Sequence, residues 1–439
     1  MSLLLAIAGI AVVAILLLAD FQNLLARVLA PLPTRGARTQ DFTIVIPIYG
    51  RPQYLKNLRF LNRYRAQTLI AINVTDQRMA RFAQRMAAIG WRVAEVHVGA
   101  PCSAAQVLAA ALVHVETKYT IRLDGDSITR DDFCTVVQQV ERSGLDLCSV
   151  KIHVDRPKTV AQHLQAVEYR IAMLARHYRP WATSGACFIA RTDALVQVMA
   201  AHSQWFFGED IETGIVAHRY RMRIGHSDAV VYTEAPATFR ALFRQRRGWW
   251  AGQFRQWVVN FDHMFWFPIA FFYNTVLLFV LLATRWESVS LAGFGLLAVM
   301  WTALTVAVNW QVRSPWMLCY VPYAVIQSLV MPAAGAIYYV QRVRQSGRVG
   351  RFLIPHWRRR WRPRPKRPGL WVPVLKLRIT RTGGGVAVTL PRDRYSRQVV
   401  SPYFGSMTLG VLRAIVRRWR RGRWERAEWR RRTAVLRRG

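Results

Sequence analysis

The chain has 439 residues, 52 % of them hydrophobic, and a formal net charge of +38. That length has room for two or three domains, and the apolar residues are too unevenly placed for a wholly soluble protein. So large an excess of cations narrows its macromolecular partners to anions: nucleic acid, acidic lipid or an anionic product.

Met1 to Ala19 carries no charge, and Arg27, Arg35 and Arg38 follow it. A signal peptide would want a basic stretch ahead of the apolar run, which is absent here. Residues 1–20 therefore read as a membrane anchor, with the N-terminus outside and the following domain in the cytosol by the positive-inside rule. Phe42–Ile48 reads as a buried strand ended by Gly50-Arg-Pro52, and Leu55–Gln67 as a helix. A second strand, Thr68–Val74, ends at Thr75-Asp76; a helix over Met79–Ile89 and a strand over Arg92–Val98 follow. An Ala-rich helix over Ala104–Val115 leads into the strand Tyr119–Leu123. Strands alternating with helices of 10–15 residues predict an α/β domain with a mostly parallel sheet. Ligands of such sheets bind beyond the carboxyl ends of the strands.

The strand Tyr119–Leu123 runs into Asp124-Gly-Asp126. Two carboxylates separated by one glycine suit a hard divalent cation that keeps its other positions for phosphate oxygens; a polar turn is the plainer alternative. Asp76 lies at a neighbouring strand end, as a contact for a base or ribose or as a simple helix cap. Phe206-Phe-Gly-Glu-Asp210 sets two acids after apolar residues, where a raised pKa would suit a general base. Asp210 also precedes the helix Ile211–Tyr220, where it could serve as an N-cap.

Phe239–Trp257 predicts a helix with an apolar stripe (Phe239, Leu242, Phe243, Trp250, Phe254, Trp257). Arg240, Arg244, Arg247 and Arg255 gather on one flank, and Gln245, Trp249 and Gln256 on the other. An indole face beside amides suits a sugar ring; membrane anchoring by Trp and Arg is the alternative. Uncharged segments over Phe265–Thr284, Ser288–Val312 and Ser314–Val340 have spanning length. Residues 341–439 hold 29 Lys and Arg against three acids, a net +26. Leu412, Ile415, Val416 and Trp419 make one apolar face of a basic helix there, which fits an anionic leaflet. No nucleic-acid-binding module is recognisable, so no nucleic-acid partner is expected. Five cysteines without metal-ligand spacing read as free thiols.

Ile44–Ile48, Asp76, Leu123-Asp-Gly-Asp126, Thr183-Ser-Gly185, Gly208-Glu-Asp210, Val231–Pro236 and Gln245-Arg-Arg-Gly-Trp249 occur in that order. Together they resemble the membrane-embedded processive family-two glycosyltransferases, the synthases of cellulose, hyaluronan, chitin and poly-N-acetylglucosamine. The resemblance implies a glycosyltransferase-A fold over residues 40–236, an amphipathic interfacial helix over 237–262 and transmembrane or re-entrant helices over 263–340. It implies a UDP-sugar donor, a polysaccharide acceptor, Mg or Mn, and a multi-pass protein of the inner or plasma membrane that passes the product across. Asp210 would be the catalytic base. Asp76, Asp124, Ser184, Gly185, Glu209, Gln245, Arg246 and Trp249 would bind substrate, and Asp124 and Asp126 the metal. Gly248 stands where the family usually has Arg, and Pro101-Cys-Ser103 where it often has Lys. Transfer of a single sugar to a membrane lipid is the alternative activity, and an inactive basic scaffold a third. Three simple spans after the domain would put the +26 tail outside, against the positive-inside rule, so one of the last three segments is expected to be re-entrant, interfacial or broken.

Overall fold

The computed structural model describes residues 38–100, 102–176, 180–205, 208–220, 222–260 and 291–346, with three short strands beyond. The expected anchor over 1–20, the segment 265–284 and the amphipathic run 412–419 lie outside the described residues.

Continuous apolar runs form the centre of an eight-stranded sheet, as burial on both faces requires. Its strands are β1 (Phe42–Ile48), β2 (Thr68–Asn73), β3 (Arg92–Val96), β4 (Tyr119–Leu123), β5 (Ile128–Thr129), β6 (Leu147–Val154), β7 (Cys187–Arg191) and β8 (Ile224–Thr233), in the spatial order β3-β2-β1-β4-β7-β6-β8-β5. The first four strands are parallel, but β7 runs antiparallel to both β4 and β6, and β5 antiparallel to β8. The sheet is thus mixed, with six of its eight strands running in one direction and only β7 and β5 reversed. Its second half is built from pairings distant in sequence, such as Leu147 with Ile224, that no local pattern announces.

Alternate residues of β1 serve two cores. Ile44 and Ile46 join Ile70, Ile121, Phe133 and Val137 on one face, under α1 (Gln77–Ala88), α3 (Phe133–Arg142) and α4 (Val160–Arg176). Val45 joins Leu69, Leu108, Leu195 and Val216 on the other, under α2 (Ala104–Ala111), α5 (Thr192–Ala201) and α6 (Glu209–Arg219). α2 begins with a capping box between Ser103 and Gln106. The helix expected over Leu55–Gln67 is broken into short turns around Leu58–Leu61. The cause is visible: the Lys56 and Asn57 amides donate to the Gly125 carbonyl, outside any helix.

After the sheet come α7 (Phe239–Val259), α8 (Leu291–Val308) and α9 (Met317–Ser346). Among the described residues one helix, over Met317–Gln345, is long and apolar enough to cross a membrane. α9 packs on α4 through Met317, Val167 and Ile171, and on α7 through Tyr323, Leu242, Tyr339 and Ala251. In the basic region β9 (Leu370–Val372), β10 (Leu377–Thr382) and β11 (Gly385–Thr389) form an antiparallel meander.

Candidate active site

The site lies where β4 ends. Asp124 donates its amide to the Ala186 carbonyl, which ties the Asp-Gly-Asp turn to the segment entering β7. The turn is clamped from the other side: Asn57 Nδ2 donates to the Asp124 and Ser127 carbonyls at 3.0 and 2.6 Å. A side chain at position 125 would place Cβ 2.5 Å from the Tyr54 carbonyl oxygen, so only glycine fits between the two aspartates. This close approach explains the Asp-Gly-Asp spelling in physical terms.

Arg122, two residues earlier, is buried and its Nη2 lies 2.8 Å from Asp124 Oδ1. Its Nη1 has no hydrogen-bond partner and points at Gly185, where a Cβ would sit 3.4 Å from it and 3.3 Å from Asp210 Oδ2. Gly185 is thus the gap through which Arg122 and Asp210 approach each other. Asp210 stands in the first turn of α6, which Gly208 enters with a left-handed φ of 71°. Asp210 is therefore not the N-cap. Its Oδ1 accepts from the Ile211 amide at 2.9 Å, and the hydroxyl of Thr183 donates to its backbone carbonyl. Buried Ser184 accepts from the Ala186 amide at 3.4 Å.

Asp124, Glu209 and Asp210 gather around the guanidinium of Arg122, with Asp126 beside Asp124. Burial raises the Asp124 carboxyl to about 6, with Asp126 and Asp210 adding and Arg122 opposing. Burial, then Asp210, raise Glu209 to about 8. Burial and Glu234 also raise Asp126, and burial with Glu209 and Asp124 raises the Tyr49 hydroxyl. This surplus of oxygen anions is the environment a hard cation neutralises, so the donor set fits a divalent metal. Among the described residues no three acidic, His or Cys side chains form a metal cage. Two carboxylates with positions left for phosphate oxygens is the arrangement usual for Mg. Asp126 is steadied by Thr233 Oγ1 at 3.4 Å, and Lys56 pairs with Glu234 beside it.

The other expected residues are placed as follows. Asp76 is exposed beyond the end of β2 and caps α1, its Oδ1 accepting from the Met79 amide at 2.9 Å. Gln245 has a buried Oε1 without a partner. Trp249 is 47 % exposed and stacks on Tyr169 with ring centroids 6.0 Å apart. Arg246 is buried. Its Nη2 donates to Glu168 Oε2 at 2.7 Å and its guanidinium lies 4.0 Å from the Trp249 ring centroid. It supports the tryptophan and is engaged by Glu168 rather than free for a diphosphate. Arg247 lies over the Tyr338 ring at 4.2 Å.

Sequence reasoning passed over Arg122, Tyr49 and Arg176. Arg176 ends α4 with an unpartnered buried Nε, and burial lowers it to about 10 while Asp210 and Tyr169 oppose the shift. The available signal for Arg122 was an arginine inside an otherwise buried strand, which demands a nearby anion.

Residues 39–252 match the family described as glycosyltransferase like family 2. This segment is a family-two glycosyltransferase domain. The family-two domain takes in the whole sheet, both acidic pairs and the first half of α7 through Gly252. No curated protein matches the chain. Among solved structures, it is similar to a mannosyltransferase, PcManGT, from Pyrobaculum calidifontis in complex with GDP-Man and Mn2+, at 16 % identity and a TM-score of 0.46, covering 74 % of this chain and 99 % of that one. S. aureus TarS 1–349 is similar at 12 % identity and 0.31, covering 84 % and 99 %. Glucosyl-3-phosphoglycerate synthase from Mycobacterium tuberculosis, in complex with Mn2+, UDP and glucosyl-3-phosphoglycerate, is similar at 15 % and 0.30, covering 47 % and 75 %.

Proposed function

We propose that this chain is an inverting, metal-dependent glycosyltransferase that moves a sugar from a UDP-sugar to a hydroxyl of a growing polysaccharide. The observation that carries this reading is that Arg122, paired with Asp124 at the end of β4, meets Asp210 at the start of α6 across Gly185, so that the two acidic pairs share one site. Asp124 and Asp126 would hold Mg or Mn, which when bound would neutralise charge on the leaving diphosphate. Arg122 holds one oxygen of Asp124 and so orients the other. Asp210 takes the proton of the acceptor hydroxyl through Oδ2, the oxygen that faces Gly185. The hydroxyl oxygen then bonds to the anomeric carbon as the bond from that carbon to the diphosphate breaks, with inversion. Trp249 offers an exposed ring, backed by Arg246, on which an acceptor pyranose can stack. Asp76, Ser184, Glu209 and Gln245 line the donor and acceptor ground in this reading.

The test is a screen of the detergent-purified protein against UDP-sugars with Mg or Mn, reading UDP release and product size. Metal-dependent UDP release with a long product supports the proposal. A single sugar on a lipid acceptor would replace the polymer with the lipid reading, and no turnover of any UDP-sugar would overturn it. Membrane vesicles with the catalytic face outward report in addition whether the product enters the lumen.

A further inference from the structure

α9 has the length and composition of a membrane span, yet it packs lengthwise along α7. Leu242 of α7 meets Tyr323, Trp250 meets Gly335, and Phe254 meets Tyr339 at a centroid distance of 5.5 Å. The order is the same on both helices, so they run side by side and parallel. The contact at Gly335 is close enough that a Cβ there would lie 2.5 Å from Trp250 Cβ. From Tyr323 to Tyr339 this shared run is about 24 Å at 1.5 Å per residue, most of the ~30 Å hydrocarbon thickness. The N-terminal end of α9 is fixed to the domain too, through Met317 and α4, and Tyr323 donates to Glu168 Oε2 at 3.0 Å.

A crossing helix would therefore carry its neighbours across with it. α7 presents exposed Arg240 and Arg244. Trp249 and the cleft of Asp124 and Asp210 lie on the same stretch. Exposed guanidinium groups at hydrocarbon depth are strongly disfavoured, and a cleft that admits a nucleotide diphosphate must be wet. The second point rests on the proposed donor chemistry; the first does not. Meanwhile the opposite side of α9 is one uncharged stripe, Leu318, Pro322, Ile326, Val330, Ala333, Ile337 and Val340, all exposed, with Leu318, Ile326 and Ile337 each at 60 % or more. Arg313 precedes the helix, and Arg342 and Arg344 stand in its last turns. α7 adds the exposed rings of Phe239 and Phe243 beside Arg240 and Arg244. Apolar residues on one side with cations at the margins are what the boundary of headgroups and acyl chains selects.

We propose that α9 does not cross the membrane: it lies in the plane of the bilayer surface, its Leu318–Val340 stripe seated at the headgroup boundary and its other face holding the glycosyltransferase domain. The occupant of the stripe is lipid.

Two measurements on the full-length protein test this. In a Cys319→Ser background, Arg313→Cys, Gln345→Cys and the catalytic-domain reporter Arg78→Cys are labelled with a membrane-impermeant maleimide in intact cells and in inverted vesicles. All three should react from one side. Reaction of the Arg313→Cys and Gln345→Cys variants from opposite sides would overturn the proposal. Spin labels at Ile326→Cys, Val330→Cys and Ile337→Cys in proteoliposomes should report one shared shallow depth from collisions with oxygen and a nickel chelate. A depth that peaks at Val330 would mean a span and overturn it. Strong spin–spin broadening with little oxygen contact would mean a second copy covers the stripe, and would overturn the assignment to lipid.

Discussion

Asp210 has one carboxylate oxygen fixed by the Ile211 amide and the other facing the gap at Gly185. An amide in its place keeps the shape and loses the base. Asp210→Asn should lower kcat by about 10²–10⁴-fold and leave the affinity for UDP with Mn nearly unchanged in calorimetry. A loss of only a few fold would make the residue a support for α6. Two residues on, Glu212 has a different task. It is fully buried and accepts from Arg255 Nη1 at 2.7 Å, from the Ser203 amide and from the Ser203 hydroxyl. Burial alone would raise its carboxyl, but Arg255, His202 and the Ser203 bond outweigh burial and hold it at about 2, against an ordinary 4.5. A folded pKa below the unfolded one gives stability that is present above 4.5 and is lost as pH falls through about 2. Glu212→Gln leaves Arg255 buried and unpaired, which costs about 3–5 kcal/mol. Thermal unfolding in detergent should show the variant well below the wild type at pH 7 and the gap closing as pH falls below 4.5. A gap independent of pH would sink this account of the pair.

The elements that carry the site were legible to different degrees. β1, β2 and β4 were readable because burial on both faces leaves short, mostly apolar, β-branched runs, interrupted in β4 by Arg122, and the Asp124–Asp126 turn because two acids flank a single glycine at the end of such a run. β6, β7 and β8 went unread as strands, since their pairing is settled by contacts across 40 to 80 residues. In α7 the helical period was plain, but the burial of individual arginines was not. Arg255 and Arg246 are buried because Glu212 and Glu168 come to them from α6 and α4, and no spacing within α7 encodes a partner on another helix. The Glu168 carboxylate takes hydrogen bonds from Arg246 on α7 and Tyr323 on α9. It therefore links the mount of Trp249 to the helix placed at the bilayer. Tyr323→Phe removes one of those bonds, worth about 1 kcal/mol. The expected outcome is a higher KM for the acceptor with UDP affinity unchanged, since the proposed reading assigns the donor to Asp124 and Asp126 and the acceptor to Trp249. Equal loss of donor and acceptor binding would mean general loosening of the domain instead.

At the scale of the whole molecule, the attitude of α9 decides where the basic region goes. The tail follows α9, and α9 is packed on the glycosyltransferase domain. A helix that does not cross delivers residues 347–439 to the catalytic side, whatever path residues 261–290 take. The conflict between a net +26 and the positive-inside rule then disappears without a broken span. On that side the tail would meet the acidic inner leaflet, where each basic residue near the surface contributes about 1 kcal/mol. The contact is electrostatic, so salt should weaken it, with the Debye length falling to about 3 Å at 1 M. Replacing Arg417, Arg418, Arg420 and Arg421 by Glu in the full-length protein should cut retention on phosphatidylserine vesicles at low salt. Sugar transfer in neutral detergent should not change, because these arginines lie beyond the family-two segment 39–252. An impermeant reagent should reach an Arg432→Cys variant only in inverted vesicles. Labelling from outside intact cells would place the tail across the membrane from the catalytic domain, and would require α9, against its packing on α7, to cross.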